Sequence, residues 1–105
     1  MSDLNALFTQ MQNNFDSGAA AGLDAVFQYQ ITDGEPYYVA VADGECNVAQ
    51  GEHDDPSVTL HMDADTLAEV MSGETDGMQA FMMGRIKADG DIMLATRLAS
   101  VFPVA

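Results

Sequence analysis

The stretch AVFQYQITDGEPYYVAVADGECNVAQGE, residues 25–52, decides the fold. Its first eight residues alternate, with Phe27, Tyr29 and Ile31 on one side and Gln28 and Gln30 on the other. A period of two predicts a half-buried strand over 25–32, because successive strand side chains point to opposite faces. Asp33-Gly34 reads as a hairpin turn, with Glu35 and Pro36 extending the loop. YYVAVAD (37–43) returns as a second strand. Asp43-Gly44 is a second turn, and ECNVAQGE (45–52) is a third, weaker strand. Together they form an antiparallel meander.

Outward from the meander the period changes. Toward the N-terminus, Leu4, Leu7, Phe8, Met11 and Phe15 fall on one face of an amphipathic helix over 2–16, with Ser2 and Asp3 as cap candidates. SGAAAG (17–22) breaks that pattern as a flexible connection. Toward the C-terminus, HDDP (53–56) is a loop. SVTLHMD (57–63) is a fourth strand, with Val58, Leu60 and Met62 alternating against Thr59 and His61. Asp63 or Asp65 caps a helix at about 65–72 that turns Leu67, Val70 and Met71 inward, and Gly73 stops it. Asp76 opens a short helix over GMQAFMM, ended by Gly84. RIKADGD (85–91) alternates and reads as a fifth strand. Asp91 caps a last helix, 92–102, with Leu94, Leu98, Val101 and Phe102 on one face, and Pro103 prevents its continuation. The order implies an α+β fold: one mostly antiparallel five-stranded sheet with helices packed on one face. At 105 residues the chain is expected to be a single domain with one core.

Composition narrows the function. There are 17 acidic residues against three basic ones, Arg85, Lys87 and Arg97, for a formal net charge of −14. Such a chain is repelled by nucleic-acid phosphates and by anionic headgroups, which excludes DNA and RNA and leaves at most weak, transient membrane contact. The acids are spread along the chain, as solubility or a salty cytoplasm would each require. The N-terminus lacks a basic n-region and an unbroken apolar h-region, and no apolar run approaches the ~20 residues that span a bilayer. The single cysteine, Cys46, excludes an internal disulfide. FPVA at the C-terminus is not a peroxisomal address. A cytoplasmic location is the expectation.

Catalytic signatures are missing: no Gly-x-Ser-x-Gly elbow, no phosphate-binding loop with Lys, no Cys-x-x-Cys, and no motif for a cofactor. His53 lies among Glu52, Asp54 and Asp55, which could hold a metal, but the spacing matches no ligand template and reads as a solvated loop. Cys46 alternates with Val48 and reads as a small core residue, not a nucleophile. The eight methionines, five of them at Met71, Met78, Met82, Met83 and Met93, either fill a core or line a surface that accepts several apolar shapes.

The features of PSVTLHMDADTLAEVMSGETDGMQAFMMGRIKADGDIMLATRLASVF, 56–102, resemble the sterol carrier protein-2 (SCP2) family in order and spacing. A Pro-x-Val-Thr-Leu-like strand (Pro56, Val58, Thr59, Leu60) leads to a helix ending at Gly73. An Ala-Phe-Met-like helix follows (Ala80, Phe81, Met82), then Gly84, Arg85, Ile86, Lys87, Gly90 and Asp91, then a helix carrying Leu94 and Leu98 that ends near Phe102. AVFQYQITDG resembles the family's first strand and turn. The resemblance implies a five-stranded sheet covered by helices, an apolar cavity between them, and binding of fatty acids, sterols, acyl-CoA thioesters or other lipids without catalysis. The chain departs from animal members in its acidity, which weakens the case for anionic CoA thioesters, and in stopping soon after the last helix.

The residues expected to line such a cavity are Leu60, Leu67, Met71, Met78, Phe81, Met82, Leu98 and Phe102, each of which could instead serve ordinary core packing. Arg85 and Lys87, on the fifth strand, either hold a ligand carboxylate or offset acids such as Asp89 and Asp91. The functional expectation is non-catalytic carriage of an apolar lipid (a fatty acid, sterol-like or isoprenoid molecule) in an internal cavity. The alternative is an accessory or interaction protein, for example in ubiquinone biosynthesis, with a filled pocket and an exposed apolar patch around Met78, Met82 and Met83.

Overall fold

The structure, a computed structural model, describes residues 4–102, apart from the side chains of Ala99 and Ser100. The proposed caps Ser2 and Asp3, and the helix stop at Pro103, lie outside the described residues.

Alternation builds the sheet as expected. Strands β1 (Ala25–Ile31), β2 (Tyr37–Ala42) and β3 (Glu45–Gln50) form the antiparallel meander. Asp43 and Gly44 turn β2 into β3 with φ of 55° and 74°, the two left-handed residues that a tight hairpin requires. β4 (Val58–Met62) then returns beside β1 and runs parallel to it, and β5 (Lys87–Gly90) pairs antiparallel with β4. The order is β3-β2-β1-β4-β5, so three of the four pairings are antiparallel and the sheet is mixed.

One sheet face is buried. Phe27, Tyr29 and Ile31, Val39 and Val41, and Leu60 and Met62 all point into the core from their strands. Four helices supply the cover: α1 (Leu4–Asn13), α2 (Ala64–Ser72), α3 (Gly77–Met82) and α4 (Ile92–Val101). Helix α1 buries Phe8 and Met11, and the Phe8 ring stacks on Tyr37 at 4.4 Å and meets Tyr29 edge-on at 5.2 Å. Asp63, Asp76 and Asp91 cap the other three helices, each carboxylate accepting a backbone N–H of the first turn. Of the two cap candidates for α2, Asp63 takes the role. Phe15 packs against Phe102 at 5.6 Å, and the Asp16 N–H donates to Val101 O at 2.8 Å, which ties the ends of the helical layer together. The 17–22 connection is held by local bonds: Asp16 accepts from the N–H groups of Gly18 and Ala19, and Ala20 is fully buried.

The other sheet face is not simply a solvated polar surface. Gln28, on the polar side of the β1 alternation, is only 2% exposed. Its amide donates to Tyr37 O at 3.2 Å and Gly51 O at 3.1 Å and accepts from His53 N at 2.8 Å. It pins the loop that carries the chain from β3 across to β4.

Candidate functional site: an apolar cavity between sheet and helices

A cavity of about 410 Å³ lies between the buried sheet face and the helical layer. Its inner wall is set by strand register. Tyr29 sits opposite Leu60 in the β1–β4 pair, and Leu60 opposite Ala88 in the β4–β5 pair, so one row of side chains across three strands faces the space. Helices α1, α2 and α4 contribute Met11, Leu67, Met71 and Leu98. The mouth lies where the bordering residues are exposed: Asp76 before α3, Met78 and Phe81 on α3, and Ile92 and Thr96 on α4.

Leu60, Leu67, Met71, Met78, Phe81, Leu98 and Phe102 all border this space. Met82 does not. It stands on the outer side of α3 and is 85% exposed. Helical spacing puts Met78 and Met82 on one face, but α3 buries Ala80, which sends Met82 to solvent. Met83 and Met93 are exposed as well and do not border the space. Sequence reasoning also passed over Met11, Asn14, Tyr29, Ile86 and Ala95 as wall residues. Tyr29 and Ile86 were legible as inward-facing strand positions; Asn14 left no signal.

The charged residues occupy other places. Arg85 precedes β5 instead of lying on it, and its partners are not Asp89 or Asp91. Its guanidinium forks onto Glu69 of α2, Nη1 to Oε1 at 3.2 Å and Nη2 to Oε2 at 2.8 Å, and Nη2 also donates to Thr66 Oγ1 at 3.1 Å. This fork holds the Glu69 carboxyl below its usual range. Asp89 instead meets His61 at 3.2 Å on the outer face. His53 accepts from Asp55 N and packs edge-on against Tyr38. Among the described residues no three His, Cys, Asp or Glu groups converge to hold a metal ion. Cys46 is buried, and burial pushes its thiol up to about 11, the behaviour of a packing residue.

A mixed five-stranded sheet with helices over one face and an apolar space between them defines the α+β lipid-cavity class. The chain belongs to the SCP-2 sterol transfer family, whose model matches residues 4–103. The mouse "Peroxisomal multifunctional enzyme type 2" is 32% identical over 83 residues, 74% of this chain and 11% of that protein. The chain spans about a fifth or less of the length of the curated relatives it matches. Among solved structures, palmitated SCP2L2 from Aedes aegypti is 25% identical with a TM-score of 0.74, over 97% of this chain and 96% of that one. The sec-alkylsulfatase Pisa1 from Pseudomonas sp. contains the same fold, with a TM-score of 0.86 at 18% identity over 96% of this chain and 16% of that one. Among the described residues no helix is long and apolar enough to cross a membrane.

Proposed function

We propose that the chain binds and carries an apolar lipid in the cavity between sheet and helices, without acting on it chemically, and that residues 1–105 work as one lipid-binding unit. The observation that carries the reading is the open space itself. Its volume of about 410 Å³ falls in the range of small-molecule sites, and its wall is built mainly from apolar side chains. Each Å² of ligand surface removed from water there contributes ~25 cal/mol, so affinity needs few polar contacts. Family membership supports the same reading, as does the palmitate carried by the mosquito relative. The filled-pocket alternative accounts for the exposed Met82 and Met83 but not for the space. A net charge of −14 keeps contact with anionic membranes weak. The buried, unpaired Cys46 fits a reducing compartment, and a cytoplasmic location is part of the proposal.

The test is organic extraction of the natively purified protein, followed by mass spectrometry, for the wild type and for Ala95→Phe. Ala95 borders the cavity from α4, so an aromatic ring there occupies part of the space. One lipid class at near-equimolar amount in the wild type, depleted in a folded Ala95→Phe, is the expected result. Extracts free of lipid, together with no uptake of added lipid at micromolar protein, would sink the reading.

A further inference from the structure

Two left-handed glycines bracket one wall of the cavity. Gly73 has a φ of 85° and Gly84 of 82°, backbone values that most other residues adopt only with strain. Between them run Glu74 to Met83, a segment that includes α3 and gives the space Thr75, Asp76, Gly77, Met78 and Phe81. This segment has little purchase on the core. From Ser72 to Gly84 the single buried residue is Ala80, whose methyl is the smallest apolar anchor a helix can offer. The large side chains, Met78, Phe81, Met82 and Met83, are exposed. A short helix with so few buried contacts belongs to the part of a fold that opens most readily.

Polar ties hold the segment instead, and their side-chain part meets at one carboxylate. Thr75, at the entry to the segment, donates its hydroxyl to Glu69 Oε1 at 3.1 Å. Arg85, just past the exit, forks onto the same carboxylate at 3.2 and 2.8 Å. One side chain of α2 therefore clamps the two ends of the segment together. The remaining ties are main-chain bonds. Thr75 N–H donates to Glu69 O at 3.2 Å, and the N–H groups of Arg85 and Ile86 both donate to Ala80 O, at 2.9 and 3.3 Å. Neither Glu69 nor Arg85 borders the cavity, so the clamp lies outside the space that a ligand would fill.

We infer that residues 74–83 form a lid over the mouth of the cavity, hinged at Gly73 and Gly84, and that the Glu69 side chain is the latch that keeps it shut. Glu69 is a positioning residue: it acts through Thr75 and Arg85 and touches no ligand. The inference rests on the lipid-cavity reading and adds to it the route by which a ligand enters and leaves. A latch of this kind sets how often the mouth opens. It changes entry and exit by the same factor and leaves their ratio, the affinity, in place.

The experiment follows the uncharged fluorophore N-phenyl-1-naphthylamine by stopped-flow mixing, which gives its association and dissociation rate constants, and by titration, which gives its Kd. Glu69→Ala releases both side-chain ties at once. It is expected to raise both rate constants roughly 3- to 10-fold, the effect of losing a part-exposed ion pair and one hydrogen bond, with Kd changed by less than about twofold. Amide exchange is expected to quicken over 77–83 and to stay as it was in β1 and β4, which also shows that the variant is folded. Arg85→Gln releases one of the two ties and is expected to give a smaller acceleration of the same kind. Glu35→Ala deletes an exposed acid in the β1–β2 loop, and its exchange of the fluorophore is expected to match wild type. Wild-type rate constants in Glu69→Ala overturn the latch. A Kd weakened as much as dissociation is accelerated also overturns it, because Glu69 then shapes the cavity and does not gate it. A fluorophore that fails to bind the wild type overturns the lipid-cavity reading itself, whereas binding with identical kinetics in every variant overturns the lid alone.

Discussion

Replacing Gln28 by leucine tests whether one buried amide fixes the crossing loop that lets β4 lie beside β1. The side chain is 2% exposed and makes three hydrogen bonds, to Tyr37 O, Gly51 O and His53 N, at 3.2, 3.1 and 2.8 Å. Each such bond contributes about 1 kcal/mol net, and a partner left buried and unpaired costs more than that average. Three lost bonds therefore cost about 3 kcal/mol, and the greater apolarity of leucine returns about 1 kcal/mol of it. A net loss of about 2 kcal/mol lowers Tm by roughly 10 °C in a domain of this size. Urea denaturation followed by circular dichroism measures the loss. Amide exchange at His53 localises it, because that N–H loses its acceptor. Gln28→Glu is the companion variant. Its carboxylate cannot donate to either carbonyl, so at pH 7 it is expected to be the less stable of the two. A leucine variant as stable as the wild type, with His53 still protected from exchange, would refute the assignment of the loop to Gln28.

Gly90→Ala is expected to lose roughly 1–3 kcal/mol through backbone strain alone: φ is +105° there, and an added Cβ would sit 2.7 Å from the main-chain Ser57 O. Urea denaturation within experimental error of wild type would contradict it. Asp91→Ala removes the acceptor for Met93 N and Leu94 N at the start of α4 and is expected to cost about 1 kcal/mol, most of it recovered in Asp91→Asn. Glu69 is held below the usual carboxylate range by Arg85, and Asp63 by its bond from Thr66, so each contributes stability that is present above its unfolded pKa. That contribution is lost as the pH falls through the depressed folded value. The stability gap between wild type and Asp63→Asn/Glu69→Gln is therefore full at pH 7 and closes on acidification, and a gap independent of pH argues against it. Cys46, with its thiol pushed up to about 11 by burial, is expected to react with an aromatic disulfide reagent at pH 8 far more slowly than in denaturant.

Local signals alone were enough to read the elements. Alternation placed β1, β2 and β4, Asp-Gly marked the β2–β3 turn, and a capping aspartate announced α2, α3 and α4, because each of these preferences acts within a few residues. Inward-facing positions such as Leu60, Leu67 and Leu98 followed from the same periods. What periodicity could not reach is the identity of neighbours distant in sequence. The parallel seating of β4 beside β1 depends on a loop held by Gln28, whose burial on a polar-looking face has no signature in the alternation. The fork of Arg85 onto Glu69 joins residues 16 apart and took the cation away from the strand where spacing had put it. Met82 left the cavity wall because a helix of six residues buries its small residue, Ala80, and turns the next methionine outward. The space itself lies where packed layers fail to meet. That is a property of three strands and four helices together, and tertiary structure alone decides it.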